Sequence, residues 1–218
     1  MMLKRLPTLL LAFALLAPLP AAEPLNVYTA KEAAYKYINS GEYGQDLTKA
    51  SVKAGKYLAK RVAKPPREGE KLAIVFDIDE TTLTNLSHIT ANDFGYVPAV
   101  WNKWVHEGQA RAIVPVQLVY DLAVKNNVAV FFITARSEAE RAPTERNLKQ
   151  VGYATWTKIY FEPDGSTQPV QAYKLGIRKQ IAAEGYTIVA NIGDQDSDLT
   201  GGYAERAFKL PNPFYIVK

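Results

Sequence analysis

The sequence predicts a three-layer α/β fold, in which a parallel sheet carries helices on both faces. Four short apolar runs, rich in β-branched and aromatic residues, have the length of buried strands. They lie at residues 72–76, 128–133, 159–161 and 187–192. Segments with helical periodicity stand between or beside them, at 116–125, 138–151 and 173–184. Strands that alternate with helices are joined by crossover connections, and such connections make neighbouring strands parallel.

Local stop signals support the ends of the predicted helices. A first helix is predicted at residues 45–63, because apolar or small residues recur there at roughly helical spacing. Pro65 and Pro66 end it, since proline lacks the amide hydrogen that a helix interior needs. Gly152 and Gly185 stand where the later helices should finish.

The composition is that of one globular domain, predicted at residues 23–218. The chain has 218 residues, of which 48% are hydrophobic and 22% are charged, enough to build a substantial core. It has no cysteine, which excludes disulfides and a lipid-modified cysteine.

The first 22 residues are predicted to be a signal peptide. Lys4 and Arg5 precede an apolar run at residues 9–17, and the small residues Ala21 and Ala22 then offer a cleavage site. An uncleaved anchor is the alternative, although the run is short for a spanning helix. Cleavage would remove two basic side chains and no acidic one, so the formal charge would fall from +4 to +2. We therefore expect an exported protein, periplasmic or secreted, with no stable membrane anchor and no nucleic-acid polymer as partner.

Residues 84–112 interrupt the alternation, directly after the first strand. They contain Phe94, Tyr96, Trp101 and Trp104. One interpretation is a small aromatic-rich cap over whatever the first strand presents, and stacking on a nucleobase or another aromatic leaving group is one hypothesis for its use. The other is that these side chains only pack a surface excursion.

Acidic residues follow two of the predicted strands. Asp77 and Asp79 come after the first strand, and Asp194 and Asp198 come after the last. Ligands of open parallel sheets bind beyond the carboxyl ends of the strands, so these carboxylates should meet there. Such a cluster needs a cation or shifted pKa values, and an all-oxygen ligand set favours Mg²⁺. Two histidines and no cysteine make a zinc centre a poor alternative.

Further polar residues are expected to join this cluster. Thr134 and Ala135 follow the second strand and could bind an anion near a helix N-terminus. Lys174 stands at the start of a predicted helix and could reach the same anion as a point charge. Asp77 and Asp79 are one residue apart, so in an extended chain both side chains point the same way. One carboxylate could then attack while the other handles protons.

A calcium loop is the competing interpretation of the last acidic segment. Asp194, Asp196, Asp198 and Glu205 occupy positions one, three, five and twelve of that pattern. The match is partial, because Leu199 stands where the sharp turn requires glycine.

In chain order, the segments FDIDET, ITAR, YKLGIRK and NIGDQDSDL resemble the four motifs of the haloacid dehalogenase (HAD) superfamily. More narrowly, they are similar to its secreted acid phosphatase branch, subfamily IIIB, which includes bacterial class C enzymes, plant acid phosphatases and vegetative storage proteins. The resemblance runs from about residue 72 to the end of the chain. It implies a Rossmann-like HAD fold, a small phosphomonoester as substrate and a homodimer as a plausible assembly.

The resemblance also implies roles for individual residues. Asp77 would be the nucleophile that becomes an aspartyl phosphate, and Asp79 the acid that protonates the leaving alcohol and then activates water. Thr134 and Ala135 would bind the phosphoryl group together with Lys174. The Mg²⁺ ligands would be Asp77, the main-chain carbonyl of Asp79, Asp194 and, in support of the metal or of Lys174, Asp198.

Two alternatives share these residues. A phosphotransferase would move the phosphoryl group to another alcohol. A non-catalytic metal-binding or storage protein would bind the ion without turnover, but storage relatives can lack the nucleophile, whereas this chain retains Asp77.

Overall fold

The computed structural model describes residues 24–217, and its centre is a five-stranded parallel sheet. The sheet strands are β1 Lys71–Phe76, β4 Ala129–Ser137, β5 Lys158–Glu162, β6 Tyr186–Gly193 and β7 Ala207–Lys209. Their order across the sheet is β5-β4-β1-β6-β7, so β1 lies in the middle between β4 and β6. The predicted α/β fold with a parallel sheet is confirmed.

The central strand is buried on both faces, as its unbroken apolar sequence requires. Ile74 and Phe76 belong to the larger core, whereas Ala73 and Val75 belong to a separate core on the opposite face. Burying a side chain such as Phe76 stabilises the fold by roughly 1.5–3 kcal/mol. Two cores separated by one sheet are what makes the molecule three-layered.

Helices cover both faces of the sheet. The helices are α1 Val27–Asn39, α2 Glu42–Val62, α3 Leu86–Ala91, α4 Pro98–Glu107, α5 Val114–Lys125, α6 Arg141–Gln150, α7 Val170–Ala183 and α8 Asp196–Leu199. Helices α2 and α5 pack against each other and contribute Leu58 and Val119 to the larger core. Helix α7 covers the other face and contributes Tyr173 and Ile181 to the smaller core.

The structure extends several of the predicted elements. Strand β4 continues through Ser137, beyond the predicted end at residue 133. The helix predicted at 138–151 is divided into a 3-10 turn, Glu138–Glu140, and α6. Helix α1 and strand β7 were not predicted. No residue of α1 is buried and β7 has only three residues, so neither produces a strong hydrophobic pattern.

The insertion at residues 84–112 contains two short helices, α3 and α4. A two-stranded antiparallel ribbon closes its base, where β2 Leu83–Thr84 pairs with β3 Arg111–Ala112. Pro98 opens α4 at a position where its missing amide hydrogen costs nothing, and Gly108 ends it with a φ of +64°. Helix α4 then rests on α6 and on the 3-10 turn before it.

None of the helices in residues 24–217 is both long and apolar enough to cross a membrane. The predicted signal peptide at residues 1–22 lies outside the described residues.

Candidate active site

Carboxylates from distant parts of the chain meet at the carboxyl end of the sheet. Asp77 directly follows β1, Asp194 directly follows β6, and Asp198 lies in the short helix α8. Each of the three offers a carboxylate oxygen within 4.8 Å of the others, and all three side chains are buried. The site is therefore assembled by parallel strands that end at one edge of the sheet.

Lys174 links two of these carboxylates. Its Nζ donates to Oδ1 of Asp77 at 2.5 Å and to Oδ1 of Asp198 at 2.6 Å. Burial alone would lower the pKa of Lys174, but the charges of Asp198 and Asp77 outweigh it and raise the pKa above its usual value. The ammonium group is therefore charged at any physiological pH.

The carboxylates still carry more negative charge than one lysine can compensate. Burial, followed by the charge of Asp198, raises the pKa of both Asp77 and Asp194. A divalent cation would offset this repulsion, and a set of carboxylate oxygens suits a hard ion such as Mg²⁺. The residues present thus fit the metal that the sequence predicts.

Asp194 and Asp198 are held in place by different partners. Asp194 accepts hydrogen bonds from the Thr81 hydroxyl at 3.1 Å and from the Asn212 side-chain amide at 2.7 Å. Asp198 receives Lys174 on Oδ1 and the main-chain N–H of Gln195 on Oδ2, at 2.8 Å. Because both of its oxygens are engaged in this way, Asp198 mainly holds Lys174 in place.

Arg178, one helical turn after Lys174, holds the loop that follows α8. Its buried guanidinium donates to the main-chain carbonyls of Asp198, at 2.5 Å, and Gly202, at 3.2 Å. It also donates to the carbonyl of Thr200. The loop after β6 is therefore tied to the same helix that carries Lys174.

Asp79 lies against Arg136 in a bidentate ion pair. Nη2 of Arg136 is 2.7 Å from Oδ1 of Asp79, and Nε is 3.1 Å from Oδ2. Burial would raise the pKa of Asp79, but Arg136 outweighs it and lowers the pKa below its usual value. Arg136 is the last residue of the ITAR segment, and the sequence predicts no role for it.

Glu80 is a buried acid to which the sequence assigned no role. Its backbone has a φ of +53°, a left-handed conformation that turns the chain back after Asp79. Its carboxylate accepts from the main-chain N–H of Asn85 at 2.5 Å and from the Tyr215 hydroxyl at 2.8 Å. Burial, together with the charge of Asp79, raises the pKa of Glu80 to about 8.

The two predicted phosphate-binding residues of β4 face different surroundings. Thr134 is fully buried, and its hydroxyl accepts the main-chain N–H of Arg136 at 3.0 Å. Ala135 and Lys174 both line a cavity that lies above the carboxylates. Within residues 24–217, the lining of this cavity includes Ala135 but not the Thr134 side chain.

A cavity of about 710 Å³ opens above the acidic cluster. Its floor contains Asp77, Asp79, Lys174 and Asp194. The insertion supplies one wall through Phe94, Tyr96 and Trp101, and the C-terminal segment supplies another through residues 214–217. Trp104 is placed differently, because its indole N–H donates to the Asn85 side chain at 2.8 Å.

The calcium-loop interpretation is wrong for this segment. Glu205 accepts hydrogen bonds from the Tyr57 hydroxyl at 2.9 Å and from Arg61 at 3.1 Å, so it is already engaged elsewhere. Asp196 is exposed, while Asp194 and Asp198 are buried. The four acids therefore do not surround one ion.

A family model matches residues 21–218, described as "HAD superfamily, subfamily IIIB (Acid phosphatase)". The chain belongs to this family. The resemblance seen in the four motifs is thereby confirmed, and the protein is an acid phosphatase of the HAD superfamily, a phosphomonoester hydrolase.

Plant proteins are similar to this acid phosphatase over most of its length. A stem 28 kDa glycoprotein of Glycine max is 34% identical over 194 residues, which are 86% of this chain and 74% of that protein. Acid phosphatase 1 of Solanum lycopersicum is 35% identical over 84% of this chain and 72% of its own. Vegetative storage protein 1 of Arabidopsis thaliana is 32% identical over 66% of this chain and 54% of its own.

A solved structure shares the fold. The class C acid phosphatase from Bacillus anthracis superposes with a TM-score of 0.73 over 87% of this chain and 86% of that one, at 23% sequence identity. At this identity the likeness establishes the HAD-like architecture and no more.

Asp198 packs tightly against Gly193, the last residue of β6, and a substitution of this glycine tests that packing. A Cβ at this position would lie 2.7 Å from Cγ of Asp198 and closer still to its Cβ and Oδ2. We expect Gly193→Ala to displace Asp198 and, through it, Lys174. Overpacking of this kind costs about 1–3 kcal/mol of unfolding free energy, and if Lys174 acts on the substrate, its displacement by about 1 Å should lower kcat/KM about 100-fold.

Gly176→Ala is the matched control for this substitution. Gly176 lies in α7 with nothing within 4 Å of an added Cβ, so alanine there should stabilise the helix by about 0.5–1 kcal/mol. Thermal unfolding and hydrolysis of p-nitrophenyl phosphate measure both variants. If Gly193→Ala behaved like Gly176→Ala, Asp198 would not be confined as described.

Proposed function

We propose that the acid phosphatase depends on Mg²⁺ and hydrolyses phosphate monoesters through a covalent phosphoaspartate on Asp77. The observation that carries the proposal is the position of Asp77 on the floor of the cavity, paired with Lys174 and beside Asp194. A carboxylate so placed can act as a nucleophile that divides one difficult displacement into two easier ones.

In the first step, a carboxylate oxygen of Asp77 forms a bond to phosphorus, and the bond between phosphorus and the ester oxygen breaks. Arg136 lowers the pKa of Asp79 in the free protein, but the anionic substrate beside it favours the protonated acid, so Asp79 takes up a proton when the substrate binds. It gives this proton to the ester oxygen, which leaves as an alcohol. In the second step, water attacks phosphorus and passes a proton to Asp79, and the bond to Asp77 breaks. Inorganic phosphate leaves, and Asp77 and Asp79 return to their starting states.

The surrounding residues stabilise charge in both steps. The ammonium group of Lys174 lies against Asp77 and can reach a phosphoryl oxygen on it. Thr134 and Ala135, within the last four residues of β4, are also proposed to bind the phosphoryl group, Thr134 through the hydrogen that its hydroxyl can still donate. Asp77, the main-chain carbonyl of Asp79, and Asp194 would hold Mg²⁺, with Asp198 in support. When bound, the ion would neutralise the charge of the incoming phosphoryl group.

The deciding experiment is a phosphatase assay of the purified chain with and without Mg²⁺. Phosphate release from p-nitrophenyl phosphate should fall to background in excess chelator and return when Mg²⁺ is restored. Ca²⁺ in place of Mg²⁺ is the control for a merely structural ion, since it prefers longer bonds and a larger coordination number. Full activity in metal-free buffer would contradict the proposal.

The same assay separates hydrolysis from phosphoryl transfer. In the presence of a competing alcohol, a hydrolase releases phosphate and leaving group in equal amounts. A transferase releases less phosphate than leaving group, and the missing phosphate appears on the added alcohol.

The insertion is proposed to act as a small cap that selects the leaving group. Phe94, Tyr96 and Trp101 line the cavity above the carboxylates, and an aromatic leaving group could stack on them. A comparison of kcat/KM for nucleoside monophosphates and sugar phosphates tests this. Equal values for both classes would remove the stacking hypothesis.

We also propose that the protein is exported and that its signal peptide is cleaved. The basic start, apolar run and small residues within residues 1–22 support a cleaved signal peptide. Mass spectrometry of the protein recovered from its native source would show whether the mature chain starts near residue 23.

A further inference from the structure

The two oxygens of Asp79 have unequal surroundings. Oδ1 accepts from the Asn85 side chain at 2.8 Å, from Nη2 of Arg136 at 2.7 Å and from Nε of Arg136 at 3.2 Å. Among residues 24–217, Oδ2 accepts only from Nε of Arg136, at 3.1 Å. Oδ1 is therefore saturated, whereas Oδ2 keeps one free lone pair.

Each of the two donors is itself fixed by a second contact. Nη1 of Arg136 donates to the Thr144 hydroxyl at 2.9 Å, and the Arg136 side chain is only 1% exposed. The side-chain oxygen of Asn85 accepts the indole N–H of Trp104 at 2.8 Å, and its main-chain N–H donates to Glu80 at 2.5 Å. Neither donor can turn away from Asp79 without losing a buried partner.

Both contacts lead into the insertion. Trp104 lies in α4 and reaches Asp79 through Asn85. Trp101, one turn earlier in the same helix, has the Arg136 guanidinium 5.4 Å from its ring centroid and donates its indole N–H to Glu140 at 3.0 Å. The position of one helix is thus coupled to the position of one carboxylate.

We propose that Arg136 and Asn85 are positioning residues that saturate Oδ1 of Asp79 and leave one lone pair of Oδ2 for proton transfer to the leaving-group oxygen, and that Trp104 fixes Asn85 for this purpose. The inference rests on the proposed function, and it names residues that direct the acid in that reaction. A carboxylate with contacts on both oxygens cannot rotate to present either oxygen at random, so the proton is delivered from Oδ2 along one direction.

The choice of substrate makes this role measurable. The p-nitrophenolate anion is stable, so p-nitrophenyl phosphate needs little protonation of its leaving oxygen. An alkyl phosphate, such as glycerol phosphate, has a poor leaving group and depends on the acid. Loss of a correctly placed acid should therefore change the ratio of kcat/KM between the two substrates, whereas a general loss of structure should lower both equally.

Trp104→Phe is the most conservative test. It removes the indole N–H that holds Asn85 and keeps an aromatic ring in α4. We expect kcat/KM for glycerol phosphate to fall about tenfold, a fraction of the 10²- to 10⁴-fold that general acid catalysis supplies. The value for p-nitrophenyl phosphate should change less than about twofold by the same reasoning.

Arg136→Lys is the stronger variant, because lysine keeps the charge but cannot make the bidentate contact. The shift in the ratio should approach 100-fold, near the lower limit of what a general acid supplies. A thermal unfolding curve accompanies this variant, since Arg136 is buried. If it fails to fold, Trp104→Phe decides the question alone.

Trp156→Phe is the matched control. Trp156 packs against Phe132, with the Lys149 ammonium 5.4 Å from its ring, and it does not line the active-site cavity. The same chemical substitution there should leave the ratio of the two substrates unchanged.

The outcomes separate this inference from the proposed function. A selective loss on glycerol phosphate in Trp104→Phe, absent in Trp156→Phe, supports the positioning role. Equal losses on both substrates, or none on either, would overturn it while the phosphatase mechanism stands. If the unaltered protein released no phosphate from either substrate, the proposed function would fall and this inference with it.

Discussion

Asp77→Asn is expected to remove essentially all phosphatase activity while the protein folds normally. An amide cannot form the phosphoaspartate, and uncatalysed hydrolysis of phosphate monoesters is so slow that enzymes accelerate it up to about 10²¹-fold. The substitution keeps the shape of the side chain and removes its charge. Burial and the charge of Asp198 already raise the pKa of Asp77, so the fold should accept a neutral side chain there. Release of p-nitrophenol measures activity, and circular dichroism with a thermal melt measures folding.

Asp121→Asn is the control for the loss of one carboxylate. Asp121 is exposed on α5, and a surface substitution of this kind changes the unfolding free energy by less than about 0.5 kcal/mol. Its activity should match that of the unaltered protein. Activity near that level in Asp77→Asn as well would mean that Asp77 is not the nucleophile.

Lys174→Met should produce the second large effect, on stability as well as on catalysis. Lys174 is 4% exposed and its ammonium lies between the carboxylates of Asp77 and Asp198. Its removal leaves two buried acids without their cation, and breaking a buried ion pair in this way costs about 3–5 kcal/mol. Chemical denaturation in the presence of chelator measures the loss without a bound metal ion that could mask it.

A second substitution identifies the cause of that loss. Lys174→Met combined with Asp198→Asn removes one of the stranded charges, so it should recover part of the unfolding free energy but none of the activity. Lys179→Met, at an exposed position of the same helix, should change stability by less than about 0.5 kcal/mol. A double variant as unstable as Lys174→Met would show that unpaired charge is not the main cost.

The C-terminal segment, residues 212–217, contributes side chains to the site although it lies outside the four sequence motifs. Asn212 orients Asp194, and Tyr215 donates to Glu80. Residues 214–217 form a wall of the cavity. The floor of the site therefore depends on the last residues of the described chain as well as on the strand ends.

Several features could be predicted because their signals are local. Residues 72–76 of β1 form an unbroken apolar run, and acidic residues follow directly after it, so both signals lie within ten residues of sequence. The general rule for parallel sheets then brings Asp77 and Asp194 to one edge, although 117 positions separate them, as their numbers show. Sequence alone was thus enough for the α/β fold, the acidic cluster and the family.

Other features were decided only by the tertiary structure. Arg136 meets Asp79 across 57 residues, Tyr215 meets Glu80 across 135, and Trp104 meets Asn85 across an insertion whose helices have no strong pattern. These contacts depend on side-chain directions and on distances of a few ångströms, which no periodicity encodes. A repeating pattern reports which face of an element is buried, whereas the partner of a single polar group is chosen by packing of the whole chain.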